Sequence, residues 1–82
     1  MAANENAKEN EPHRIECHLD RLLADQGLTL TELARRVGVS VVNLSVLKNN
    51  RARAIRFSTL TAVCDVLGCQ PGDLLSLARP RR

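Results

Sequence analysis

The stretch LTLTELARRVGVSVVNLSVLKNNR, residues 28–51, decides the fold of this chain. Its first half carries apolar residues at the spacing of one helix face: Leu30, Leu33, Ala34 and Val37. Thr29 and Glu32 have the spacing of a capping box, in which the threonine side chain accepts from the Glu32 N–H and the glutamate reaches back to the Thr29 N–H. The pattern predicts a helix from about Leu30 to Val37 that ends at Gly38.

A second helix is predicted immediately after this one. Ser40 is a good N-cap for a helix from Val41 to about Asn49, with Leu44 and Leu47 facing inward. The small side chain of Ala34 lets the two helices cross closely, and the glycine between them permits a backbone conformation that a β-carbon would penalise. Residues 28–51 are therefore predicted to form two short helices joined by a tight turn.

These residues resemble the helix-turn-helix of Cro/repressor-type proteins, also called the XRE-like family. The resemblance continues in weaker form through FSTLTAVCDVLGCQPGDLL, residues 57–75, and covers about residues 14–77. It implies an all-α fold, a compact five-helix bundle of the lambda-repressor-like kind. It also implies a transcriptional regulator, in particular a repressor, that binds double-stranded DNA as a homodimer with the third helix in the major groove.

The flanking sequence predicts the other three helices. The first has its apolar stripe at Ile15, Leu19, Leu22 and Leu23 and ends at Gly27. The fourth follows a loop at residues 49–57, is capped by Ser58 and ends at Gly68. The fifth has Pro71 in its first turn and carries Leu74, Leu75 and Leu77. No strand is expected. We assign residues 1–12 to a disordered tail, residues 13–78 to the DNA-binding domain and residues 79–82 to a basic tail.

Length and composition exclude several classes of function. A chain of 82 residues has room for one domain with a small core, and no catalytic grouping is visible, so neither an enzyme nor a cofactor is expected. Phe57 is the single aromatic residue, which argues against stacking of single-stranded bases. Neither a signal peptide nor a membrane span is apparent, so the expected location is cytoplasmic, without a membrane partner.

The charge is unevenly distributed along the chain. The net charge of +3 divides into −4 for residues 1–32, +6 for residues 33–64 and +1 for residues 65–82. Residues 33–64 contain no acidic residue, and their six cations surround the predicted third helix. Such a segment is the expected footprint of a protein that binds phosphates.

The resemblance places the outward side of the third helix against base edges. Many members of the family carry Gln, Arg or Lys at the positions of Val41 and Val46, so here apolar contact with thymine methyl groups is expected instead. Asn43 could contact adenine, hold a phosphate or cap locally. Asn50 stands where many relatives have Gly, and asparagine tolerates the same left-handed conformation. The residues predicted to bind DNA are Thr29, Ser40, Val41, Val42, Asn43, Ser45, Val46, Lys48, Asn50, Arg51, Arg53 and Arg56.

Several alternatives remain open at this point. Leu74, Leu75 and Leu77 are candidates for the dimer contact, but they could equally cover the core. A protein-interaction adaptor or antitoxin could use the three valines to bind a protein partner, and an adaptor associated with RNA is a weaker possibility. His13, Cys17, His18 and Cys69 could gather around a metal or sense oxidants, although their spacing matches no familiar metal site, and Cys64 is expected to be a small buried hydrophobe.

Overall fold

The structure is a computed structural model that describes residues 13–79. The expected tail at residues 1–12 and the end of the basic tail, residues 80–82, lie outside the described residues. The elements in chain order are β1 (Ile15–Cys17), α1 (Leu19–Gln26), α2 (Leu30–Val37), α3 (Val41–Lys48), α4 (Phe57–Leu67), α5 (Pro71–Leu74) and β2 (Leu75–Leu77).

One aliphatic core holds the helices together. Every helix contributes to it, and its fully buried side chains are Leu19, Leu33, Leu44, Val63 and Leu74. Helix α2 packs against both α3 and α4, so the predicted helix-turn-helix is attached to α4 mainly through its first helix. Aliphatic side chains of this size each contribute about 1.5–3 kcal/mol on full burial. Because Leu44 of α3 is one of them, packing in this core fixes the orientation of α3.

Four helices of the described chain end in the same hydrogen-bonded turn. In each, one residue adopts a positive φ, and the N–H of the following residue donates to a carbonyl five positions earlier. The positive-φ residues are Gly27, Gly38, Asn50 and Gly68. The donor–acceptor pairs are Leu28–Leu23, Val39–Ala34, Arg51–Val46 and Cys69–Cys64, with N–O distances of 3.0, 3.1, 2.9 and 3.0 Å. The glycine stops and the left-handed Asn50 agree with the sequence prediction.

The prediction of an all-α fold was only partly correct, because the fold is mostly helical but contains a small sheet. Strands β1 and β2 pair antiparallel, with Ile15 opposite Leu77 and Cys17 opposite Leu75. The first helix begins at Leu19, so Ile15 is not part of it. The last helix ends at Leu74, so the prediction that it carries Leu75 and Leu77 was wrong, and both lie in β2. Both strands alternate apolar and polar residues, but each is only three residues long, and their pairing joins distant parts of the chain, which a local pattern does not reveal.

Two helix N-termini also differ from prediction. The Glu32 N–H donates to Thr29 Oγ1 at 3.0 Å, as expected, but the Glu32 carboxylate contacts arginines on its own helix instead of reaching back. Helix α4 starts one residue before the predicted cap, with Arg56 at the N-cap and no side-chain capping bond.

Within the described residues, no helix is both long and apolar enough to cross a bilayer.

Candidate nucleic-acid interface

Helix α3 presents an apolar outer surface. Leu44 and Leu47 point into the core, which leaves Val41, Val42 and Val46 facing outward with 39%, 70% and 38% of their surfaces exposed. The valines are thus a true surface feature and not a second core face. Because valine side chains have no hydrogen-bonding groups, this part of the helix can read only shape and methyl groups.

The outer surface of α3 and the following loop form one groove. Asn43 and Val46 line it from α3, and Arg51, Arg53 and Arg56 line it from the loop. We call these five residues the basic groove. The sequence predicted each of them as a DNA-binding residue, and the structure brings all five together. A groove with an apolar helix on one side and guanidinium groups on the other matches the pattern of bases and phosphates in duplex DNA.

The turn at the end of α3 positions Arg51. The Arg51 N–H donates to the Val46 carbonyl at 2.9 Å, and the Asn50 N–H donates to Leu47 at 3.1 Å. In this type of turn the side chains of the two residues joined by the bond across five positions, here Val46 and Arg51, lie against each other. The turn therefore holds the arginine beside the apolar surface of the helix.

Asn50 makes a contact that the sequence did not predict. Its φ is 63°, and its side-chain oxygen accepts from the Cys17 N–H of β1 at 2.8 Å. A glycine would adopt this backbone conformation more easily but would leave the β1 N–H without this acceptor. Asn50 therefore ties the end of α3 to the small sheet, and we regard it as a positioning residue.

Half of the six cations in residues 33–64 have carboxylate partners. Arg35 contacts Glu32, and Arg36 Nε lies 3.1 Å from the same carboxylate. The Lys48 Nζ lies 3.4 Å from Asp20 on α1, and only 25% of the lysine side chain is exposed. Hydrogen bonds from Arg35 and then Arg36 hold the pKa of Glu32 below its usual value, so the carboxylate is charged at neutral pH. Charge counted along the sequence overstates the positive field in space.

Arg51 and Arg56 differ from these three cations. Both side chains are exposed, and neither has a carboxylate partner within residues 13–79. Lys48, by contrast, joins α3 to α1 and is not part of the basic groove. The positive charge available to a ligand is therefore concentrated in the loop after α3.

The predicted hydroxyl contacts are partly engaged inside the protein. Thr29 Oγ1 accepts from Glu32, and Ser40 Oγ accepts from the Asn43 N–H at 3.0 Å. Each exposed hydroxyl keeps its own proton, with which it can donate to a phosphate. Ser45 is half-buried and its Oγ lies 3.4 Å from Asn49 Nδ2, so it offers less to a ligand.

Sequence reasoning missed Phe57 as a surface residue. It is the first residue of α4, 83% of its surface is exposed, and it directly follows Arg56 of the basic groove. The available signal was the single aromatic residue of the chain next to an arginine, at the start of a helix. Its exposure places a large apolar side chain at the edge of the basic groove.

The three leucines proposed for a dimer have different environments. Leu74 is completely buried in the core, so it is unavailable for a dimer contact in this fold. Leu75 is half-buried, whereas 60% of Leu77 is exposed. Leu77 pairs with Ile15, which is 43% exposed and was not predicted as a surface residue. Together Ile15 and Leu77 form an exposed apolar pair at the outer end of the sheet.

The histidines and cysteines do not form a metal site in the described part of the chain. Within residues 13–79, no three His, Cys, Asp or Glu side chains come together in a way that could hold an ion. His13 Nδ1 accepts from the Ile15 N–H at 3.1 Å, and His18 Nε2 lies 2.5 Å from Ser76 Oγ. Both imidazoles thus have roles in fastening the small sheet.

The architecture around the basic groove, two helices joined by a glycine turn and supported by a third, is that of a helix-turn-helix protein. Comparison with known sequences agrees. The model of the Cro/C1-type HTH DNA-binding domain matches residues 18–79. The chain therefore belongs to this family.

Two known proteins illustrate the similarity. Over 58 residues the chain is 53% identical to a protein of Bacillus subtilis (strain 168) named uncharacterized HTH-type transcriptional regulator YozG, with 71% of this chain and 69% of that protein aligned. The crystal structure of the transcriptional regulator VanUg, form II, superposes with a TM-score of 0.70 at 28% identity. That superposition covers 85% of this chain and 92% of the other.

Proposed function

We propose that this protein is a small transcriptional regulator that binds specific sites in double-stranded DNA and represses transcription by occluding a promoter. The observation that carries the proposal is the basic groove, in which the outward side of α3 and the arginines of the following loop share one surface. In this arrangement α3 enters the major groove and the loop follows the phosphate backbone. The protein acts by binding, in the cytoplasm where its DNA target lies, and needs no cofactor.

The valines of α3 define the expected kind of specificity. Val41, Val42 and Val46 contact thymine methyl groups, and Asn43 is the one side chain of the basic groove suited to a bidentate bond with adenine. Binding sites are therefore expected to be rich in A·T pairs where α3 lies. The hydroxyls of Thr29 and Ser40 donate to phosphates at the N-termini of α2 and α3.

We further propose that the protein binds DNA as a homodimer. A single eight-residue helix contacts few base pairs, and two-fold dimers of helix-turn-helix proteins read half-sites about one helical turn apart. The exposed pair of Ile15 and Leu77 supports a contact at the outer end of the sheet. Leu75 lies beside it and would be partly covered by the same contact.

Selection of bound sequences from random duplexes, repeated at two salt concentrations, tests the proposal. With about two phosphates neutralised per protomer by Arg51 and Arg56, the logarithm of affinity should fall with the logarithm of salt at a slope of about −2. The six cations of the sequence alone would have suggested about −5. Arg21 is an exposed arginine on α1 outside the basic groove, so Arg21→Ala is the matched control for substitutions of the loop arginines and should leave the slope unchanged. A slope near zero with no enriched sequence would exclude DNA binding.

The exposed valines favour one second candidate, a protein-interaction adaptor or antitoxin. An apolar helix surface of this kind also suits a protein partner. Val42→Ala and Arg51→Ala separate the two. If the valine change abolishes a protein partnership and leaves affinity for duplex DNA intact, the adaptor function is favoured. If the arginine change weakens DNA binding while the valine change alters sequence preference, the regulator function stands.

A further inference from the structure

The end of α4 brings two thiols together. Cys64 is the fourth residue from the end of the helix, and Cys69 is the second residue beyond it. The Cys69 N–H donates to the Cys64 carbonyl at 3.0 Å, across Gly68 with its φ of 63°. The bond holds the two residues next to each other in space, and a disulfide spans α-carbons about 4.4–6.8 Å apart.

The same turn elsewhere in the molecule shows what these two positions do. Their side chains normally meet in an apolar contact that closes the helix end. At the end of α1 they are Leu23 and Leu28, and at the end of α2 they are Ala34 and Val39. At the end of α4 they are both cysteines, Cys64 and Cys69. The fold thus aligns two thiols through a turn that it uses for packing at the ends of α1 and α2.

The two thiols differ in access. Cys64 is only 8% exposed, whereas Cys69 is half-buried and reachable from solvent. Burial, then the neighbouring Cys64 thiol and the Asp73 carboxylate, raises the pKa of Cys69 to about 11. At neutral pH the thiol is therefore overwhelmingly protonated, which slows direct oxidation by peroxides. Exchange with another disulfide also proceeds through the thiolate, so it is expected to be slow at neutral pH and faster as the pH rises.

We propose that Cys64 and Cys69 are a modification site that forms a reversible intramolecular disulfide by exchange with a low-molecular-weight disulfide. The Cys69 thiolate attacks one sulfur of the small disulfide, forms a mixed disulfide and releases one small thiol. The Cys64 thiolate then attacks the Cys69 sulfur and releases the second small thiol. The two protons that the cysteines lose appear on the two released thiols, and the two electrons of the dithiol reduce the small disulfide.

The disulfide would change the stability of the fold. It closes a short ring around the turn that leads from α4 into α5 and β2, and it restricts the unfolded chain. A short ring gives a gain at the lower end of the usual range, so the expected rise in Tm is about 8–16 °C. The site lies at the opposite end of α4 from Arg56 and the basic groove, so this inference does not depend on DNA binding.

The test uses the full chain equilibrated with oxidised glutathione, followed by alkylation and mass spectrometry. In both the native chain and Cys17→Ala, Cys64 and Cys69 should be protected from alkylation and the protein should be lighter by two hydrogen atoms. Dithiothreitol should restore both thiols and lower the Tm again. Cys17→Ala is the matched control because Cys17 lies in β1, outside the α4 turn.

Cys64→Ala is the second test variant. Without the Cys64 thiol to displace glutathione, a stable glutathione adduct should remain on Cys69. The proposal is overturned if the native chain keeps the glutathione adduct on Cys69 or if Cys64 and Cys69 remain open to alkylation at equilibrium. It is also overturned if the native chain forms only disulfide-linked dimers. Equal Tm values for the oxidised and reduced chains would overturn the stabilising role.

Discussion

The ends of α3 and α4 close with the same hydrogen-bonded turn but serve different purposes. At α4 the turn uses Gly68 and joins two cysteines at the edge of the core. At α3 it uses Asn50, ends in an exposed arginine and reaches across to β1. The difference shows that one backbone device can close a helix for packing or aim a charge at a ligand. Substitutions in the turn at the end of α4 should therefore affect stability. Substitutions in the turn at the end of α3 should affect binding.

The largest expected effect is on the α4 turn, where Gly68→Ala should lower the free energy of unfolding by about 1–2 kcal/mol. A β-carbon added at Gly68 would have open space around it among the described residues, so the cost comes from the positive φ alone. Thermal unfolding should show a fall in Tm of about 5–15 °C. DNA affinity per folded molecule should stay unchanged, and a clear loss of affinity would contradict the division between the two turns.

At the α3 turn, Arg51→Ala should weaken duplex binding about tenfold, because it removes one phosphate contact. It should also make the salt slope shallower by about one unit. Fluorescence anisotropy with a labelled duplex measures both, with Arg21→Ala as the control. The Tm should change by less than about 3 °C, since the side chain is exposed.

Asn50→Gly tests the link between α3 and β1. Glycine retains the positive φ but removes the acceptor of the Cys17 N–H, so stability should fall by about 0.5–1 kcal/mol in urea unfolding. Asn50→Asp keeps an acceptor and should remain close to the native value. If both variants unfold alike, the side-chain bond to β1 does not contribute to stability.

The smallest effect is expected at α2, where Glu32→Gln should raise DNA affinity about two- to threefold by releasing the arginine pair. Stability should change little at neutral pH because these ion pairs are exposed. The lowered pKa of Glu32 means that its contribution to stability is present at neutral pH and is lost as pH falls through that lowered pKa. Unchanged or weaker binding by Glu32→Gln would show that the pair does not limit the positive field.

Much of the fold was accessible from local sequence patterns. The glycine stops, the caps at Thr29 and Ser40, and the inward leucines of α3 depend on neighbours within one or two helical turns, and all are confirmed. The sheet was missed because its strands are short and pair across nearly the whole described chain. Leu74 was correctly placed in a helix, but its burial depends on packing that spacing alone does not determine.

The candidate site was accessible in composition but not in geometry. The sequence identified Asn43, Val46 and the three arginines that the structure brings into the basic groove. It did not identify the carboxylates that neutralise Arg35, Arg36 and Lys48, because Asp20 lies on another helix and Glu32 was assigned to a cap. Ion pairs between elements require the tertiary arrangement, and this is why the charge of a segment differs from the charge of a surface.

The pairing of β1 with β2 also has a consequence for how the chain folds. The bond from Arg14 to Ala78 joins residues 64 positions apart, whereas the helix ends close over five. Closing so long a loop carries a high entropic cost, so the sheet is expected to form after the helices have assembled. Because Asn50 bonds to β1, the last step of folding would also complete the support of α3. A folding intermediate without the sheet would already have its core but not yet a fully anchored α3.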